Sequence, residues 1–170
     1  SPKKSKLQEV QYQKARALYE KADYAAASNE LHALAVESKG SAQLRKQAAD
    51  LSLDALVLLK DESKMITWAK EYETAFPENR TDFSSIVQKS VLNQVAVLAE
   101  SNPAAALVAL SAFNPAAASA EDKVKFFKNK MILSEKQGQI KEAAGAADSL
   151  LALPNASLAD KELAWGRKAY

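Results

Sequence analysis

A polar or Gly-bearing turn, followed by a helix with small residues on one face, recurs about every 40 residues along this chain. The copies begin at Ala22-Asp23-Tyr24, Lys60-Asp61-Glu62, Ser101-Asn102-Pro103 and Gly138-Gln139-Ile140, so Asp23, Asp61, Asn102 and Gln139 are separated by 38, 41 and 37 residues. Each turn lies between two amphipathic runs, which makes the unit a helical hairpin. A period of this length signals stacked hairpins, none of which can bury its apolar face alone. Stacks of this kind bind other macromolecules far more often than they carry out chemistry.

Composition supports an all-α fold. The 170 residues include only four Gly and five Pro, most of them near inferred helix ends, and no alternating run of β-branched and aromatic residues. Much of the apolar content is Ala, which costs no side-chain entropy in a helix and lets helices approach closely. The helices read in order. Helix 1 runs from about Lys6 to Lys21, with Leu7, Val10, Leu18 and Ala22 as its core stripe and Tyr12, Ala15 and Tyr19 as a second stripe. Helix 2 follows Asp23, with Tyr24, Ala27, Leu31 and Leu34 at helical spacing, and ends at Lys39-Gly40. Ser41 caps helix 3, Asp61 starts helix 4, and Pro77 stops it. Thr81 is expected to cap helix 5. Asn102-Pro103 opens helix 6, which runs to Phe113. Ser119 with Asp122, and Ser157 with Asp160, have the spacing of a capping box and open helices 7 and 9. Gly138 separates helices 7 and 8, and about nine helices result.

A formal charge of +2, spread along the chain except for Lys3, Lys4 and Lys6, argues against a nucleic-acid partner. Residues 1–5 read as a flexible basic tail. Without Cys there is no disulfide framework, thiolate zinc site or Cys nucleophile. No apolar run reaches the ~20 residues a membrane span needs. A bacterial cytoplasm and a periplasm both fit, with the cell envelope preferred. The chain opens on Ser and stops inside helix 9, so a longer parent chain is expected. His32 is the only His and reads as a half-buried or surface residue with no metal ligands around it. No Gly-flanked Ser and no phosphate loop occurs. Asn79-Arg80-Thr81 and Asn155-Ala156-Ser157 match the glycosylation sequon but read as helix caps. Trp165 on helix 9 has no following helix to cover it, which allows self-association through that helix.

The residues around the turns resemble the tetratricopeptide repeat, a pair of antiparallel helices with small and large side chains in fixed order after the turn. Ala22-Asp23-Tyr24 with Ala27, Leu31 and Leu34 looks like a first copy, and Gly138-Gln139-Ile140 with Ala143, Ala147 and Leu150 like a fourth. The copy around Asp61 has Met65, Ala69 and Tyr72 instead, and the copy around Asn102 has a shortened second helix. The units exceed the family's usual ~34 residues. The resemblance implies a right-handed superhelical solenoid over residues 6–170, with the first helix of each hairpin lining a concave groove. A helical bundle with hairpins of similar length is the competing arrangement.

On the groove face the resemblance places Tyr12, Arg16 and Tyr19 of helix 1, Asp50 and Asp54 of helix 3, Val91 and Val95 of helix 5, and Lys125, Lys128 and Ile132 of helix 7. A Tyr–Arg–Tyr ladder offers rigid aromatic area and a forked donor, the ingredients of an interface hot spot. Asp50 and Asp54 lack a third ligand and read as a solvated acidic face, with no metal or cofactor implied. The Lys and Asn pattern with which some of these repeats grip a peptide carboxylate is absent. The function expected is a non-enzymatic scaffold binding a protein or peptide. The alternative is an α-superhelical accessory domain of a larger cell-wall or signalling enzyme whose catalytic part lies elsewhere.

Overall fold

The computed structural model describes residues 2–168, and every regular element among them is helical. The chain divides between Val87 and Gln88 into two compact units. The first holds α1 (Pro2–Glu20), α2 (Tyr24–Ala35), α3 (Ala42–Leu59), α4 (Glu62–Ala75) and a 3-10 turn at Pro77–Asn79. The second holds α6 (Pro103–Leu110), a 3-10 turn at Pro115–Ala117, α7 (Ala120–Lys136), α8 (Ile140–Leu151) and α9 (Leu158–Lys168). Helix α5 (Arg80–Ser101) contributes residues to both. None of these helices is long and apolar enough to cross a membrane.

Capping follows the sequence signals closely. The side chains of Asp23, Ser41, Asp61, Asn102, Ser119 and Ser157 each accept a hydrogen bond from the backbone N–H three residues on, at 3.0–3.2 Å. Each satisfies one of the donors that a helix start leaves without a partner. Several expectations fail at the ends: α2 stops at Ala35, short of Lys39-Gly40, and α6 stops at Leu110, short of Phe113. Pro2–Ser5, expected as a tail, belong to α1. Thr81, expected as a cap, is the second residue of α5, because the 3-10 turn after Pro77 leads directly into the helix.

The hairpin turn is a recurring structure as well as a recurring sequence. Ala22, Lys60 and Gly138 all have positive φ, at 62°, 54° and 71°. Each donates to a carbonyl three residues back, and the next residue donates to one five back: Asp23 to Leu18, Asp61 to Leu56 and Gln139 to Ser134. This left-handed termination is one that Gly adopts most easily. Two of the three copies use Ala and Lys there, so the turn is held by its surroundings as much as by residue choice. The copy at Asn102 departs from it: Asn102 N–H donates four residues back, to Leu98.

In the first unit α2 packs against α1 and α3, α3 against α4, and α1 also reaches α3. In the second, α7 packs against α6 and α8, and α9 against both α8 and α7. Ala27 and Ala143, expected where helices approach closely, are both buried. The core of the second unit gathers Met131, Ala146, Ala147, Leu150, Ala156 and Ala164. Two salt bridges set the register of α7 and α9: Lys128–Asp160 and Arg167–Glu135, both at 2.8 Å and both joining residues 32 apart. A constant offset means the two helices run parallel.

Helix α1 corrects the sequence reading. Leu7 and Val10, taken as its core stripe, are 57% and 65% exposed. The packed face carries the buried Gln8 and Ala15, with Tyr12 and Tyr19 half-buried on the same stripe. Gln8 is accommodated because its amide is fully used. Its Nε2 donates to Glu37 and to the Lys39 carbonyl, each at 2.7 Å, and its Oε1 accepts from Ser41 N–H at 3.3 Å. A buried amide with its partners in place costs little, whereas one without them costs kilocalories.

Candidate interaction surfaces

On the first unit, Tyr12, Arg16 and Tyr19 do share a face of α1, but the three side chains differ in availability. Arg16 is exposed and donates from Nε to Glu20 at 3.1 Å. Tyr19 packs edge-on against Tyr24, with ring centroids 5.2 Å apart, so its ring helps to close the α1–α2 hairpin. On α3, Asp50 is held by Lys46 one turn earlier at 2.6 Å. Partial desolvation pushes the Asp54 carboxyl above its usual value, and the neighbouring Asp50 adds to this. Asp50 and Asp54 are both exposed. They form a solvated acidic stripe, and among the described residues no three His, Cys, Asp or Glu side chains converge to hold a metal.

His32 is half-buried, as its sequence position suggests, and its ring is engaged on both nitrogens. Its ring stacks on Trp68 at 4.1 Å with planes 3° apart. Its Nδ1 lies 2.9 Å from Tyr72 Oη, and its Nε2 lies 3.2 Å from Glu71. Tyr72 Oη in turn lies 2.7 Å from Ser52 Oγ, which lies 2.7 Å from the Ala49 carbonyl. Counting hydrogens gives two consistent arrangements. With neutral His32, Nε2–H donates to Glu71, Nδ1 accepts from Tyr72, and Tyr72 accepts from Ser52. With protonated His32 the chain reverses: Nδ1–H donates to Tyr72, Tyr72 to Ser52, and Ser52 to Ala49. The second fills every contact, whereas the first leaves the 2.7 Å Ser52–Ala49 contact without a hydrogen, so hydrogen bonding favours the protonated form and desolvation the neutral one. Burial lowers the His32 pKa and outweighs the opposing pull of Glu71. Ser52 and Tyr72 are wholly buried, so the relay ties α2, α3 and α4 together from within, and it reaches the surface at His32 and Glu71.

This relay makes stability depend on pH. The folded His32 pKa lies below the free value of 6.5, so the unfolded chain takes the proton more readily. The contribution is complete above pH 6.5 and is lost as the pH falls from there through the lower folded value. Urea unfolding between about pH 5 and pH 7.5 should therefore show stability declining below 6.5. His32→Gln should flatten that slope. An equal slope in the variant would assign it to other groups.

On the second unit, a cleft of about 770 Å³ lies between α5 and the first half of α7. Lys89 and Asn93 line one wall, one turn apart; Lys125 and Asn129 repeat that order on the other; Leu92 and Ala96 add apolar surface. Lys125 donates to Glu121 at 2.6 Å, a bond that raises the lysine's pKa and lowers the glutamate's. Asp122, also on the wall, is buried, with Oδ1 3.9 Å from Lys125 and Oδ2 without a hydrogen-bond partner. No family model, curated protein or solved structure matches this chain. The cleft must therefore be read from its own chemistry. It brings lysine and asparagine side chains together at helical spacing on both walls, with the Lys125 ammonium held by Glu121.

Of the α7 residues expected in a groove, only Lys125 lines this cleft. Lys128 is turned to Asp160 of α9, whose pKa it lowers, and Ile132 packs on the apolar core beside it. Val91 and Val95 of α5 are buried core residues, so their expected place on a groove is corrected to Lys89, Asn93 and Ala96. Helical spacing relates Lys89 to Asn93 and Lys125 to Asn129, yet polar residues at that spacing cover most helix surfaces. Nothing in the sequence singles out this set.

Proposed function

We propose that this chain is a non-enzymatic scaffold of tetratricopeptide-like hairpins that holds an extended protein or peptide segment. In this reading the first helix of each hairpin lines a concave surface, and the hairpins stack with a right-handed superhelical twist. The observation that carries it is the α5–α7 cleft, with Lys89–Asn93 facing Lys125–Asn129. The recurring left-handed turn and the parallel register of α7 and α9 support the repeat reading. On the first unit, exposed Arg16 between Tyr12 and Tyr19 is a second contact point.

The test is selection from a random-peptide phage library against the whole chain, followed by affinity measurement with the enriched peptides. Replacing Lys125 and Asn129 together with Ala should weaken binding about tenfold or more, as loss of central contacts does. The unfolding midpoint should stay unchanged, because Lys125 is exposed and Asn129 only half-buried. Peptides that bind the double variant as well as the parent would exclude the cleft. Arg16→Ala asks the same question of α1.

A further inference from the structure

Helix α9 is fixed on its inner side. Asp160 and Arg167 are bonded to Lys128 and Glu135 of α7, and Ala164 between them is fully buried. That attachment determines which residues face outward. Leu158, Lys161, Glu162 and Trp165 stand at i, i+3, i+4 and i+7, the positions that share one helical face. Leu158 is 67% exposed and Trp165 51% exposed, so the face has an apolar residue at each end. Lys161 and Glu162 lie between them, half-buried and exposed respectively.

This order is self-complementary. A two-fold axis passing between Lys161 and Glu162 lays a second α9 antiparallel to the first. It sets Leu158 opposite Trp165 of the other copy, Lys161 opposite Glu162, and the reverse of both. An isologous contact needs this property, each patch matching itself under rotation. We propose that this outer face of α9 is a self-association site, pairing two copies of the chain antiparallel through Leu158 and Trp165, with Lys161–Glu162 pairs setting the register. A parallel pairing sets each charge against its own kind, so the charges also select orientation. An 11-residue helix covers much less than the ~800 Å² per partner of a stable complex. The association is therefore weak and reversible.

Sedimentation equilibrium of the whole chain, from roughly 10 µM to roughly 1 mM, tests this, since contacts of small area associate in that range. The parent should show a monomer–dimer equilibrium. Lys161→Glu should weaken it about tenfold or more by opposing like charges across the axis. The double variant Lys161→Glu/Glu162→Lys should restore it to near the parental value, because the exchanged pair is again complementary. Trp165→Ser should abolish association without changing the unfolding midpoint, its side chain being largely exposed. A monomer at every concentration would overturn the proposal, and so would a dimer indifferent to Lys161→Glu. Failure of the double exchange to restore association would overturn the antiparallel pairing. None of these outcomes depends on peptide binding in the α5–α7 cleft.

Discussion

Tyr72→Ala should destabilise the first unit by about 3–5 kcal/mol, the range for removing a large aromatic ring from a packed core. Tyr72 is wholly buried, with ring centroids 6.1 Å from Phe76 and 5.4 Å from Phe83. Its hydroxyl also joins His32 to Ser52, so the substitution removes the ring and breaks the polar relay together. Burial pushes the phenol pKa upward, the sign of a group that water does not reach. Against a typical domain stability of about 5–15 kcal/mol, the loss should leave α2, α3 and α4 poorly folded at ordinary temperature. Tyr72→Phe separates the two contributions. It keeps the ring and strands the hydroxyl's partners, at about 1–3 kcal/mol. Urea unfolding followed by Trp68 fluorescence measures both, since Trp68 stacks on His32. A Tyr72→Ala loss near 1 kcal/mol would mean that the core repacks around the gap.

Gly40→Ala should cost about 3–7 kcal/mol, large for the addition of one methyl group. Gly40 has φ of 109°, where an L side chain is strained by about 1–3 kcal/mol. The added Cβ would also run into the Gln8 side chain amide. Gln8 would have to leave its three partners, the Glu37 carboxylate, the Lys39 carbonyl and the Ser41 N–H, each bond contributing about 0.5–1.5 kcal/mol. A double-mutant cycle checks this account. In a Gln8→Ala background the amide is already gone, so Gly40→Ala should cost only the backbone strain. Equal costs in the two backgrounds would show that Gln8 and Gly40 are not coupled.

Local chemistry was readable from the chain, and longer-range choices were not. Asp23, Ser41, Asp61, Asn102, Ser119 and Ser157 cap helices where sequence places them, because a cap involves only the side chain and the next three residues. The left-handed residue at Gly138 was foreseeable, while those at Ala22 and Lys60 were not, since neither residue type favours that region. Helix α1 shows where periodicity runs out. Leu7–Val10–Leu18 and Tyr12–Ala15–Tyr19 are both valid helical stripes. Hydrophobicity favours the first, yet the second packs, because the α2–α3 loop offers Gln8 three hydrogen-bond partners on that side.

The same limit shaped the candidate surfaces. Counting from the turns assigned Lys125 and Lys128 to one face, but Asp160 lies 32 residues away and draws Lys128 toward α9. It assigned Val91 and Val95 outward, yet both are buried in the packed core. By itself the sequence determined that this chain is helical, where most of its helices begin, and that a turn recurs about every 40 residues. These follow from interactions spanning a few residues, such as capping, propensity and the exclusion of strand patterns. Only the tertiary structure decided which stripe of each helix is buried, which charges are paired, and which polar residues meet across a cleft. Those outcomes depend on the side chains that a neighbouring helix presents, and such neighbours lie tens of residues away along the chain.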